Sequence, residues 1–533
     1  MDTKISQPGN QRRQLSLFIL AGLLFAIPAV FALSAQSQVG AVPQLPGVVI
    51  PIPQQPGAQP VPEFIGNPAT PDPITGILPV PEHPFMAANG RSNLHVDGYQ
   101  SDTYTGSGPL GHSPTVNSSF LAAECGTVTF DKKGRINVVC IGLIRPRLHL
   151  MDPVTLQTLA IFNLPARGST TTFGYGGYFF LDQLDRVVVP TRTRDIWRIK
   201  QVEGPSGKTR YALDHTCRKD LPDAIPAQQS IQSTLPDANG LLWFTTGGND
   251  QSAALVGTVQ PDPKDKNHCI VSTFSFPSDE RIVKSFAVDP NPSRGGVFVV
   301  TDHKLYRFDA GADAVPMMTW SETYDRGNRI KPGQITQGSG TTPTLIGTDF
   351  VTIVDNADPR MHVLVYRRAA QVSGDRLVCA EPVFEPFLGD SFNSLIATSK
   401  SISVENNYGN LNLASTARGN TTVPGISRID LDADRDSCHT TWFNHTESVP
   451  NIVSQLSLAT GLEYTYTKPL GPGTTDPWYF TAIDFETGKV VYKRLAGTGV
   501  FYNSNYSGLY LGPDGKTAYV GVVGGIVRIA DIQ

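Results

Sequence analysis

Long runs of one charge sign are missing from this chain. Asp and Glu number 47 and Lys and Arg 43, a formal net charge of −4 in 533 residues, with the two signs interspersed. No basic face of the kind nucleic acid requires can be assembled from that pattern, so nucleic acid is not expected as a partner. Past the N-terminal leader, sustained apolar periodicity of about 3.6 residues is missing too, which argues against an α/β fold. No Gly-x-Ser-x-Gly elbow, His-x-x-x-His pair or Gly-rich phosphate loop occurs. Three common catalytic designs therefore have no motif here. Charged residues at 17% against 40% hydrophobic describe a folded globular chain, not a disordered one.

What is present begins with an export signal. Arg12 and Arg13 precede an apolar run over 15–33, and small residues follow at Ala32, Ser34 and Ala35. This is the order of a secretory signal, with a mature chain starting at about residues 34 to 38. The run is also long enough for an uncleaved anchor, although Pro28 and the small residues favour cleavage. Residues 1–35 are thus a signal peptide or membrane anchor. The protein is expected to be secreted or periplasmic, or else membrane-anchored through this segment alone. Residues 36–90 are rich in proline, as in Val49-Ile50-Pro51-Ile52-Pro53. Proline fixes φ and removes donors, so a semi-extended spacer is expected. Residues 91–533 form the folded domain. Asn117, Asn420, Asn444 and Asn505 head glycosylation triplets, which matter only where the source glycosylates.

After Asn117 one pattern recurs at a spacing of roughly 50–60 residues, a period that points to propellers or arrays. An apolar strand, a Gly/Asp/Asn turn, a second strand, a polar loop, a third strand and a weaker fourth follow in order. Gly126-Thr127-Val128-Thr129-Phe130, the turn Asp131-Lys132-Lys133-Gly134, and Ile136-Asn137-Val138-Val139 are one instance. Leu509-Tyr510-Leu511, Pro513-Asp514-Gly515-Lys516 and Ala518-Tyr519-Val520 are the last. First strands are expected near residues 126, 176, 231, 282, 343, 395, 454 and 508. The fold class is therefore all-β, a β-propeller of about eight four-stranded blades, with seven as the alternative count. The chain stops after a third strand, at Ile529. An N-terminal strand, expected around 94–104, should complete that blade and close the ring.

The stretch Ala482-Ile483-Asp484-Phe485-Glu486-Thr487-Gly488-Lys489-Val490-Val491-Tyr492 resembles the blade repeat of quinoprotein-alcohol-dehydrogenase-like propellers, with Tyr492 where that family usually has Trp. Met151-Asp152-Pro153-Val154-Thr155-Leu156 is a weaker copy. The resemblance implies blade architecture, with pyrroloquinoline quinone (PQQ) as the cofactor of many members. The adjacent cysteines that many of those members place against the quinone are absent here. Asp514-Gly515-Lys516 and Trp243-Phe244-Thr245 are similar to turns of lactonase-type propellers.

Six cysteines in an exported chain suggest disulfides. A turn over 131–134 places Phe130 opposite Arg135, and counting outward places Cys125 opposite Cys140, within disulfide reach. Cys217, Cys269, Cys379 and Cys438 each start a fourth strand, so joining neighbouring blades as Cys217–Cys269 and Cys379–Cys438 is the economical pairing.

The loops after second strands and between blades gather at one channel mouth. They hold Arg192, Arg194, Asp302, His303, Asn356, Glu405 and Asn406. Carboxylate and amide oxygens from several blades suit a hard cation, so Glu405, Asn406, Asn356 and Asp302 are the candidate ligands of a calcium ion. Such an ion can activate water. His303 and Glu405 are the candidate catalytic groups, and Arg192 and Arg194 could clamp an anionic substrate. Loop Asp and Asn also make local turn hydrogen bonds, which is the plainer reading of each. Asp430-Leu431-Asp432-Ala433-Asp434-Arg435-Asp436 mimics a calcium loop but has Arg435 where Gly is required, and reads as a charged turn. The expected function is metal-assisted hydrolysis of a lactone or ester by a monomer acting on a small molecule. A quinoprotein-like oxidoreductase and a non-catalytic binding propeller are the alternatives.

Overall fold

Aspartate opens the hairpin turns and glycine ends them. Asp131 Oδ1 accepts the amides of Lys133 and Arg135 at 2.9 Å each, and Gly134 closes the turn at a φ of 74°. Asp237 and Gly240 repeat the geometry two blades on. In the longer turn of the family-like motif, Asp484 Oδ1 accepts the amide and hydroxyl of Thr487, and Asp152 does the same for Thr155. A carboxylate that satisfies two turn donors fixes where each strand stops.

The computed structural model describes residues 48–142, 145–166, 177–205, 207–217, 220–265 and 268–532. All belong to one compact unit, Gln44–Gln533. The leader and its expected cleavage point lie outside the described residues. No helix among those described is long and apolar enough to cross a membrane.

The strands form eight four-stranded antiparallel blades in a ring. Their inner strands are Glu124–Phe130, Phe180–Leu181, Ile231–Pro236, Ala287–Val288, Thr344–Ile346, Ile396–Ala397, Gln455–Ser457 and Leu509–Leu511, which number blades 1 to 8. Apolar residues such as Val187, Val188, Val189, Phe298 and Val351 are buried between blades. Three disulfides are present: Cys125–Cys140 within blade 1, Cys217–Cys269 between blades 2 and 3, and Cys379–Cys438 between blades 5 and 6. The first hairpin runs one residue out of the expected register. Phe130 faces Ile136 instead of Arg135, and an irregularity between Cys125 and Val128 restores the Cys125–Cys140 pairing.

Two N-terminal segments differ from expectation. The strand that closes the ring is Thr115–Phe120, antiparallel to Gly525–Ala530 of blade 8, not residues 94–104. The described part of the proline-rich stretch is extended yet pinned to the ring. Phe64–Gly66 adds a fifth strand to the outer edge of blade 7, and Gln55, Asp72 and Ile74 bond its backbone. Proline lacks a donor, but the residues between the prolines keep theirs.

Residues 91–102 instead coil through the central channel, and Thr103–Tyr104 pairs parallel with Leu456–Ser457 of blade 7. Carbonyls of Arg91, Ser92, Gly98, Tyr99, Ser101, Asp102 and Tyr104 accept the amides of Phe130, Leu181, Val288, Leu345, Ala397, Leu456 and Leu458. Those amides belong to blades 1, 2, 4, 5, 6 and 7. The inner edge of an innermost strand has no neighbour, so its donors need such a partner. Val96, Gln100 and Asp102 take positive φ to turn the coil this tightly.

Candidate functional site in the channel mouth

The coil blocks the channel and turns one mouth into a cup of about 330 Å³. Leu94 and His95 of the coil form its floor, and the wall comes from the connections between blades, including Tyr178, Arg281, Lys284, Phe392, Asn393 and Tyr506. A cavity of about 410 Å³ opens at the opposite mouth, walled by the proline strap and hairpin turns. Its buried carboxyl, Asp97, is committed to the hydroxyl and amide of Ser101.

His95 and Asp102 come from the same coil. His95 Nδ1 lies 3.2 Å from both Asp102 oxygens, and both residues are buried. Asp102 also accepts from the Ser394 hydroxyl and from Gln455 Nε2 at 3.3 Å. Burial pushes the Asp102 carboxyl up, and His95, Ser394 and Gln455 oppose that. With Nδ1–H donated to the carboxylate, His95 Nε2 carries the lone pair. It faces the Thr342 hydroxyl at 3.5 Å. Tyr178 stacks on the imidazole at 6.2 Å between centroids.

Lys284 sits at a bend on the connection into blade 4, in the irregular run Arg281-Ile282-Val283-Lys284-Ser285. It is 7% exposed, and its Nζ lies 3.5 Å from the centroid of Phe392 and 5.7 Å from that of Tyr506. Among the described residues it has no hydrogen-bond or ion-pair partner. Burial lowers its pKa to about 7, with Asp390 acting in the opposite direction.

The side chains expected at the site make hydrogen bonds within the protein. Asp302 accepts the Arg281 amide at 2.8 Å and donates its own amide to the Arg281 carbonyl, fixing the connection that carries Lys284. Asn406 accepts the amide of Asp390, and Asn407 that of Phe392, fixing the next wall. Asn356 donates to the carbonyls of Arg326 and Arg329 and accepts from Gln334. Glu405 accepts from Asn393 Nδ2 and the Ser454 hydroxyl, both at 2.6 Å. Burial raises its pKa to about 8. His303 lies between Asp302 at 2.9 Å and Asp279 at 3.5 Å, off the cup. Arg194 donates to the carbonyls of Pro222 and Ile225, and Arg192 is half-buried beside it in sequence. None of these lines the cup, and Glu405 reaches its wall only through Asn393.

This donor set does not fit a divalent cation. Among the described residues lining the cup there is no Asp or Glu, and there are two cations, Arg281 and Lys284. The candidate oxygens of Asp302, Asn356, Glu405 and Asn406 are each occupied by protein donors. Among the described residues, one group of three His, Cys, Asp or Glu side chains approaches metal-ligand spacing: His215, Cys217 and Cys269, whose sulfurs are joined to each other. The charged turn at 432–437 is a hairpin in which Asp432 accepts from Ser437 and His439.

The groups that sequence reasoning missed are His95, Asp102, Arg281 and Lys284. The run Asn93-Leu94-His95-Val96-Asp97 alternates polar and apolar residues as a strand does, so no local signal separates the coil from a closing strand.

No family model matches the chain. It is 26% identical over 345 residues to a protein of Archaeoglobus fulgidus described as uncharacterized, covering 58% of this chain and 63% of that one. The chain thus spans somewhat under two thirds of that relative's length. Among solved structures, the Dos1 propeller aligns at 10% identity and a TM-score of 0.44, over 76% of this chain and 92% of its own. The WD40 domain of Toxoplasma gondii coronin aligns at 10% identity and a TM-score of 0.37, over 80% of this chain and 88% of its own.

Proposed function

We propose that this chain is an extracytoplasmic propeller that binds a small organic molecule in the cup and hydrolyses an ester or lactone bond there. Three disulfides support the compartment, since such bonds persist outside the reducing cytosol. The observation that carries the chemistry is His95, which reaches the floor of the cup with Nδ1 held by a buried carboxylate and Nε2 left as a base. A water oxygen adds to the substrate carbonyl carbon as its proton passes to Nε2. The carbon–oxygen bond to the leaving alkoxide then breaks, and the alkoxide takes that proton back. Asp102 stabilises the imidazolium between those steps. Ile282, Val453, Phe392 and Tyr506 offer an apolar wall for the rest of the molecule. No step uses calcium or a quinone.

The test is turnover of a panel of lactones and aryl esters by the purified chain. Hydrolysis is expected, with His95→Gln lowering kcat by about 10²–10⁴-fold while ligand binding persists. Binding without any turnover across the panel would sink the enzyme reading and leave a small-molecule-binding propeller.

A further inference from the structure

The cup differs from an ordinary apolar pocket in its charge. Its lining, among the described residues, contains Arg281, Lys284 and His95 and no carboxylate. Arg281 is already engaged, donating to the carbonyls of Ser278 and Glu280 and lying 3.4 Å from Asp250. Lys284 is not engaged in this way. Lys284 is more than nine-tenths buried and lines the cavity, and among the described residues its amine lies over the faces of Phe392 and Tyr506, with Asp390 acting on it without a hydrogen bond or ion pair. A buried ammonium without an anion is costly, and an aromatic face offsets only part of that cost.

We infer that the cup is a carboxylate-binding site, in which an acid with an aliphatic or aromatic body places its anionic group on Lys284 and its body against Phe392, Tyr506 and Ile282. The inference rests on the same cup as the hydrolytic reading but needs no turnover. Where both hold, Lys284 selects substrates that carry a carboxylate, or retains the acid that hydrolysis releases.

Binding is coupled to a proton. With Lys284 near pKa 7 in the empty cup, an incoming anion raises it again and the site takes up part of a proton. The other ionisable groups around it are Asp390 behind the wall, Tyr506 across the cup, Arg281 on its own connection and His95 on the floor. Tyr506 is itself raised by burial, so it stays neutral through the relevant range.

Phenylacetate and phenylacetamide separate charge from shape. By calorimetry on the full folded chain at pH 8, phenylacetate should bind at least about tenfold more tightly than the amide, a difference of about 1.4 kcal/mol. Its apparent enthalpy should shift with buffer ionisation enthalpy, in the sense of proton uptake. Lys284→Met should abolish both the preference and the uptake, and Lys284→Arg should keep the preference without the uptake. Equal affinity for acid and amide in the wild type would overturn the inference, as would a preference that survives Lys284→Met. Tighter binding of inorganic phosphate than of any carboxylate would overturn it too. Hydrolysis without a carboxylate preference refutes this inference alone. A carboxylate preference without hydrolysis refutes only the enzyme reading.

Discussion

His95 Nδ1 lies 3.2 Å from both carboxylate oxygens of Asp102, although the two residues are seven apart on a coil with no regular secondary structure between them. The contact holds because Ser394, on the connection into blade 6, and Gln455, on the inner strand of blade 7, fix Asp102. Asp102→Asn should release the tautomer. Nitrogen-15 NMR should show Nε2 unprotonated in the wild type and a mixture of tautomers in the variant. Hydrolysis should fall by about 10²–10⁴-fold with little change in KM. An unchanged tautomer signal would remove Asp102 from the mechanism as a positioning residue.

Arg368 ties the coil to the ring. It pairs with Asp289 at 2.9 Å and donates to the Tyr99 hydroxyl at 2.9 Å, with its side chain 3% exposed and that of Asp289 0%. Arg368→Met leaves Asp289 with Arg294 alone. A loss of about 1–3 kcal/mol in denaturant unfolding is expected, since a buried charge loses one of its two cationic partners. A loss under about 0.5 kcal/mol would show that the pair contributes nothing net.

The buried Glu405 gives stability a defined pH dependence. Its pKa is raised from 4.5 to about 8 by burial, so the folded state holds its proton where the unfolded state has lost it. That stability is complete below about pH 4.5 and is lost as pH rises toward 8. Asp97, Asp390 and Glu463, each raised by burial to about 7, act in the same direction. Lys284 is depressed and acts oppositely, but only above its folded value of about 7. The melting temperature should therefore decline between pH 5 and about 7, and Glu405→Gln should flatten that decline. Parallel wild-type and variant curves would contradict the assignment.

Non-reducing peptide maps should recover the three cystine pairs, Cys125–Cys140, Cys217–Cys269 and Cys379–Cys438. The closed segments span 15, 52 and 59 residues. Loop-closure entropy puts the first bond at about 3 kcal/mol and each inter-blade bond at about 4. Paired Cys→Ala replacement of Cys379 and Cys438 should thus lower stability at least as much as that of Cys125 and Cys140. The reverse order would mean that native-state strain, not chain entropy, governs these bonds.

The blades were legible because their signals are local. An Asp that caps two turn amides and a Gly at positive φ are written within five residues, as at Asp131 and Gly134. The site was legible only in part. Asp302, Asn356, Glu405 and Asn406 lie in or at the start of loops beside the cup, but sequence does not show whether a side-chain oxygen faces a cavity or the backbone of the next connection. In each case it serves a protein group. Lys284 stands among apolar neighbours as a strand lysine would, and its isolation appears only once Phe392 and Tyr506 arrive from other blades. Residues 94–104 resemble a closing strand because an edge needs covering and they precede the first blade. The strand that closes the ring begins 11 residues later, at Thr115.

The seating of residues 91–104 also orders events in time. Asp102 bonds Gln455, 353 positions further on, and Thr115 pairs with Ala530 across 415. Contacts of such separation form late, because the intervening chain must be organised before they gain anything. During synthesis a segment that emerges before every blade is therefore among the last to find its place. Until blade 7 exists, Asp102 has no Gln455 and the floor of the cup has no fixed form. Shortening the nascent chain at its far end, even within a single outer blade, should leave the opposite end of the sequence unstructured and the cup unmade.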